Sequence, residues 1–145
     1  LRAELEGLAS QLFAEQASEA QMKALQAAFA DLRTAYAGGN AVAMLAAKAR
    51  FYEALVDGAG NETLGTVLRQ LHARAMVLRA TSLSQRGRTA ESEREIAELV
   101  KAIRKRDGAA ARKASVAHVT KAAQAALQVL ERQEADADAA ARLSA

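Results

Sequence analysis

The chain has 145 residues with no Cys, no Pro, only 8 Gly and a formal net charge of +3 at pH 7, and its pI is near 9.5. That length suits one domain with its own core, and the absence of Cys excludes disulfides, thiolate metal sites and cysteine nucleophiles. Abundant Ala, few β-branched residues and no credible alternating strand make the fold all-α.

No run of about 18 apolar residues and no signal-peptide pattern occurs, so nothing points to a membrane and the expected address is cytoplasmic. The basic residues are interspersed with acids and aromatics make up only 3%. That is the pattern of a solvated helical surface more than of a nucleic-acid footprint.

The first helix is expected from Leu1 to about Ala17, with Leu5, Leu8, Leu12 and Phe13 apolar. Ser18 with Gln21 forms a capping box for a second helix, where Met22, Leu25, Phe29, Leu32 and Tyr36 keep helical spacing up to Gly38-Gly39. Asn40 caps the third, AVAMLAAKARFYEALVDGAG. At 100° per residue Met44, Leu45, Phe51, Tyr52 and Leu55 fall within about a third of its circumference, with Lys48 near the centre of that arc. A lysine aimed at the core must extend its ammonium to solvent, find a partner, or belong to a polar cavity.

Asn61 caps a fourth helix whose buried face is Leu64, Val67, Leu68, Leu71, Ala75 and Leu78, running to about Leu83, with His72 and Arg79 at the edge of the stripe. Ser84–Ala90 is the most loop-like segment. Ser92 with Glu95 reads as a second capping box, opening a helix that carries Ile96, Leu99, Val100 and Ile103. Asp107-Gly108 turns into a long last helix burying Ala111, Ala114, Ser115, His118, Val119, Ala122, Val129 and Leu130. The domain is expected over 1–134, about six helices, with no role assigned to the tail 135–145.

No catalytic constellation emerges. The only histidines are His72 and His118, no Gly-x-Ser-x-Gly turn or phosphate loop exists, and no Glu precedes either histidine by three. What remains is an inward polar set: Lys48 and Tyr52 on the third helix, His72 and Arg79 on the fourth, His118 on the last. It suits a pocket between helices, with cationic Lys48 and Arg79 selecting an anion.

Plainer readings stay open. Lys48 can lay its stem on the apolar face and pair with a surface carboxylate. His118 can be a core histidine, Tyr52 a core aromatic, and His72 and Arg79 fit exposed or interface positions.

The order of signals resembles the effector-binding and dimerisation domain, the FCD type, of FadR-like GntR-type bacterial transcription regulators. From Arg2 to Val129 the matching pieces are Arg2-x-x-Leu5-Glu6, Phe51-x-x-x-Leu55 followed by Gly60-Asn61, Ser92-x-x-Glu95, Ala102-Ile103 with Asp107 four residues on, and His118-Val119. The resemblance implies an antiparallel helical bundle, a homodimer, a small-molecule effector, and a winged helix-turn-helix before Leu1 that supplies the DNA contact.

Many such domains hold a divalent metal with an Asp and three His that grips a carboxylate. Those positions fall on Lys48, Tyr52, Ile96 and His118, of which only His118 is retained. No metal or other cofactor is therefore expected, because one donor of four cannot hold such an ion. The expected ligand contacts are Lys48, Tyr52, His72, Arg79, Ile96 and His118, with an anion such as a carboxylate bound directly by Lys48, or an apolar ligand with Ile96 in the wall. A helical structural or protein-interaction module without a small-molecule site is the alternative; an enzyme is not expected.

Overall fold

The computed structural model describes residues 1–143 as seven helices with no strand among them: α1 (Arg2–Gln16), α2 (Glu19–Gly38), α3 (Ala41–Gly58), α4 (Glu62–Arg74), α5 (Met76–Ser84), α6 (Arg88–Arg104) and α7 (Gly108–Leu143). None is long and apolar enough to cross a membrane. Local chemistry sets most boundaries. Ser18 and Gln21 form the expected reciprocal capping box, and Asn40, Asn61 and Asp107 each accept a backbone N–H of the following first turn at 2.9 Å. Gly39 closes α2 in the left-handed region at φ 69°, where a side chain would be strained.

Two expectations are corrected. The helix drawn from Asn61 to Leu83 is broken at Ala75, whose φ of −82° and ψ of 0° begin a new helix. The break turns the second half so that Arg79 points inward at 6% exposure while Leu78 is 42% exposed. The later helix starts at Arg88 behind Gly87, which takes φ 81°, and not at Ser92. Ser92 is fully buried a turn inside it, so Ser92 and Glu95 are interior groups rather than a cap. Val67 and Leu130, expected in the core, are exposed at 37% and 36%, because α4 and the far end of α7 lie at the margin of the bundle. α7 runs on through 135–143 without a break; residues 144–145 of the tail lie outside the described residues.

Short turns join α2 to α3 and α6 to α7, which makes each pair antiparallel neighbours. α7 packs along α1, α5 and α6. The main core gathers Phe13, Leu25, Leu32, Phe51, Leu55, Ile96, Leu99 and Ile103. A second cluster places Val56, Leu64 and Leu68 against Leu5, Leu8 and Leu12. Between these layers α1, α3, α5, α6 and α7 all send polar side chains into the interior.

Candidate functional site

On α1 the stripe Glu6, Ser10, Phe13 has helical spacing, so the Glu6 carboxylate enters with the core and is 1% exposed. His72 Nε2 donates to Glu6 Oε1 at 3.0 Å. Arg2 Nε lies 3.4 Å from that oxygen and Arg79 Nη2 3.9 Å. Burial alone would raise the Glu6 pKa, but the His72 hydrogen bond and the charges of Arg2 and Arg79 hold it below the usual carboxylate range. The Arg79 guanidinium stands 4.4 Å over the Tyr52 ring centroid, and the His72 ring lies 4.9 Å from it. Burial, reinforced by Glu6, raises the Tyr52 phenol well above its ordinary pKa.

A second group is built by α6 and α7. Arg88 forks onto Glu95, Nη1 to Oε1 at 3.1 Å and Nη2 to Oε2 at 2.8 Å, and His118 Nδ1 donates to Glu95 Oε2 at 2.7 Å. Burial acts to raise Glu95, yet the hydrogen bonds from His118 and Arg88 bring its pKa down to about 2. His118 is pushed down to about 4 by burial and then by Lys48, against the opposing pull of Glu95. At neutral pH it is a neutral imidazole with its proton on Nδ1 and a free lone pair on Nε2.

Lys48 stands between the two groups, only 2% exposed. Its Nζ donates to Ser92 Oγ at 3.2 Å, and Ser92 Oγ also meets Tyr36 Oη at 3.1 Å. It makes no ion pair among the described residues. Burial, with Arg79 and Arg88 adding repulsion, lowers its pKa to about 7. The stem therefore does not carry the ammonium to a surface carboxylate. Four buried polar atoms around this centre have no hydrogen-bond partner among the described residues: Glu6 Oε2, Arg79 Nη2, Arg88 Nε and His118 Nε2. Unsatisfied buried groups at this density mark a place where a further polar species belongs.

Beside the polar interior is an open cleft of about 490 Å³ between the start of α1, α4–α5 and α7, lined by Leu71, Leu78, Val119 and Leu127 together with Arg2, Arg74 and Arg79. Lys48, Tyr52, Ile96 and His118 do not line it. Arg79 belongs to both places, touching the cleft on one side and the Glu6–Tyr52 group on the other.

The sequence-predicted residues thus divide. Tyr52, His72 and Arg79 gather around Glu6, Lys48 meets Ser92, and His118 meets Glu95; His72 and Arg79 are interior rather than exposed. Ile96 is fully buried within the main apolar core. Tyr36, Glu6, Arg88, Ser92 and Glu95 were not identified from the sequence as parts of the site. The available signal for two of them, Arg88 and Ser92, was the stripe Arg88, Ser92, Ile96, Leu99, Ile103, whose spacing becomes visible once the helix is started at Arg88.

The residues at the four metal positions of the resemblance do not fit a divalent ion. Lys48 is engaged with Ser92, Ile96 has no donor, and no group of three or more His, Asp or Glu that could hold a metal exists among the described residues.

A helical bundle with ionisable groups at its centre and an apolar cleft beside them has the architecture of a ligand-sensing domain. The family model of the FCD domain matches residues 1–121, and the chain belongs to that family, the effector-binding domains of GntR-type regulators. No curated protein sequence matches it. Among solved structures the chain is similar in fold to Escherichia coli McbR/YncC, with a TM-score of 0.72 and 19% identity over 92% of this chain. It spans 62% of that relative's length.

Proposed function

We propose that this domain senses a small organic anion with an apolar body and transmits its occupancy to a DNA-binding domain elsewhere in a dimeric, cytoplasmic regulator, without a metal. The carrying observation is Arg79. It lines an otherwise apolar cleft, is 6% exposed, and keeps Nη2 without a hydrogen-bond acceptor. A carboxylate entering the cleft supplies that acceptor, with Arg2 and Arg74 adding positive charge and Leu71, Leu78, Val119 and Leu127 receiving the apolar body.

Lys48, Tyr52, His72 and His118 form the layer behind Arg79. A ligand that draws the guanidinium outward from Tyr52 and Glu6 alters the packing of α5 against α3 and its ionic link to Glu6 of α1. This is a route by which occupancy biases the relative placement of bound modules, by as much as the ligand's affinity differs between the two states.

Isothermal titration with monocarboxylates of increasing apolar size tests the reading. Binding should strengthen with tail size, and Arg79→Met should weaken it by about tenfold or more, the worth of a charge-assisted hydrogen bond. Equal affinities for wild type and Arg79→Met, or no binding by any member of the series, would favour the structural-module alternative.

A further inference from the structure

We propose that the Lys48 amine is a site of reversible carbamylation by carbon dioxide, its carbamate being the anion that the polar interior lacks. The placement shares Arg79 with the cleft but rests on Lys48, Ser92 and Arg88, which do not line it. Lys48 Nζ rests on Ser92 Oγ at 3.2 Å. Arg88 lies one helical turn before Ser92 on the same face of α6, and Glu95, which binds His118, nearly one turn after it. On α3, Tyr52 lies one turn beyond Lys48 and carries Arg79 on its ring. The titration of the lysine responds to the guanidinium groups of both α5 and α6.

Charge and hydrogen bonding point the same way. Arg2, Arg79 and Arg88 bring three permanent positive charges to this interior, against the two carboxylates Glu6 and Glu95. Glu91 on Arg88 and Lys121 on Glu95 are more than half exposed and of opposite sign, so they leave that balance unchanged. One positive charge is unmatched even with Lys48 neutral. Among the described residues two guanidinium N–H groups, on Arg79 Nη2 and Arg88 Nε, lack acceptors, while His118 Nε2 and Glu6 Oε2 lack donors. A carbamate carries one negative charge, two acceptor oxygens and one N–H, enough to give both guanidinium groups an acceptor and one of the two acceptors a donor.

The reaction needs the free amine. The Nζ lone pair attacks the carbon of CO2, a C–N bond forms as one C–O π pair moves onto oxygen, and the amine releases a proton to solvent: Lys–NH2 + CO2 gives Lys–NH–COO⁻ + H⁺. An exposed lysine is almost wholly protonated at neutral pH, whereas burial, Arg79 and Arg88 leave a large share of Lys48 unprotonated there. The positive field that disfavours the ammonium favours the carbamate. CO2 is small and uncharged, so it enters a packed interior without desolvating an ion. Tyr36 and Tyr52, their phenols raised by burial, and His118, lowered by it, stay neutral, and the Glu6 carboxylate is engaged by His72 and Arg2.

The 145-residue chain equilibrated with 13C-labelled bicarbonate at pH 8 and treated with triethyloxonium should yield, on peptide mass mapping, a labelled carbamate ester at Lys48. The 13C NMR carbamate resonance should be present in wild type and absent in both Lys48→Arg and Lys48→Met. Bicarbonate at constant pH and ionic strength should raise the melting temperature of wild type but of neither variant. An unlabelled Lys48 peptide in folded wild type, with ester only at surface amines such as Lys23 or Lys121, would overturn the proposal. So would a resonance of equal intensity in Lys48→Arg.

Discussion

Replacing Lys48 by Met, an unbranched side chain of similar length, removes the titratable amine while retaining the packing of the stem. The unfolded chain holds the Lys48 proton up to pH 10.5, whereas the folded chain releases it at about 7. Between those values the unfolded state binds more protons, so the lysine's contribution makes stability rise with pH, by about 1.4 kcal/mol per unit at full slope. Fully protonated at low pH, the buried ammonium costs on the order of 4 to 5 kcal/mol, and most of that is still present at pH 7. The Ser92 hydrogen bond lost in the variant offsets about 1 kcal/mol.

Lys48→Met should therefore be the more stable protein at pH 7, and its advantage should shrink by roughly 2 kcal/mol by pH 9. Urea unfolding followed by circular dichroism, in CO2-free buffers at both pH values, measures it. Subtracting the two proteins cancels the other titrating groups. Wild-type and variant stabilities that run parallel from pH 7 to pH 9 would refute an amine buried without an anionic partner.

Acid should act through the α6–α7 group. The His118 pKa of about 4 lies below its ordinary 6.5, so the unfolded chain takes up a proton that the folded chain refuses, and stability falls as pH drops from 6.5 towards 4. The Glu95 contribution, present above 4.5, is lost as pH falls towards about 2. NMR titration of the His118 ring should show it neutral at pH 5.5; a midpoint near 6.5 would contradict the geometry. Glu6→Ala strips the shared carboxylate from His72, Arg2 and Arg79 and should cost about 3 kcal/mol or more, the scale for orphaning buried charge, read in a urea midpoint. Gly58→Ala drives a methyl into the Phe13 ring and should cost about 1–3 kcal/mol by overpacking, seen as a lowered melting temperature; an unchanged one would mean that α1 and α3 separate easily.

Several parts of the fold were readable because their causes are local. The Ser18–Gln21 box, the Asn40 and Asn61 caps and the Gly39 stop depend on residues within a turn of one another, and α2 and α3 begin and end where those signals stand. Lys48 in the apolar arc of α3 and His118 on the inner face of α7 follow from helical spacing. The break at Ala75 has no such signal, since neither Gly nor Pro marks it. Without it, Leu78 reads as core and Arg79 as stripe edge. The false start at Ser92 had a different cause: Ser-x-x-Glu suits a cap and suits equally a buried hydroxyl and carboxylate one turn apart, and only the neighbours of Ser92 distinguish them.

The one-dimensional pattern by itself determined an all-helical chain, most of its boundaries and the inward lysine, because periodicity and capping are short-range. The tertiary structure decided what the lysine meets. Glu6 finds His72 across 66 residues, Tyr36 finds Ser92 across 56, and Lys48 finds Ser92 across 44. Those pairings set the local dielectric and the charge balance on which every ionisation in the interior depends.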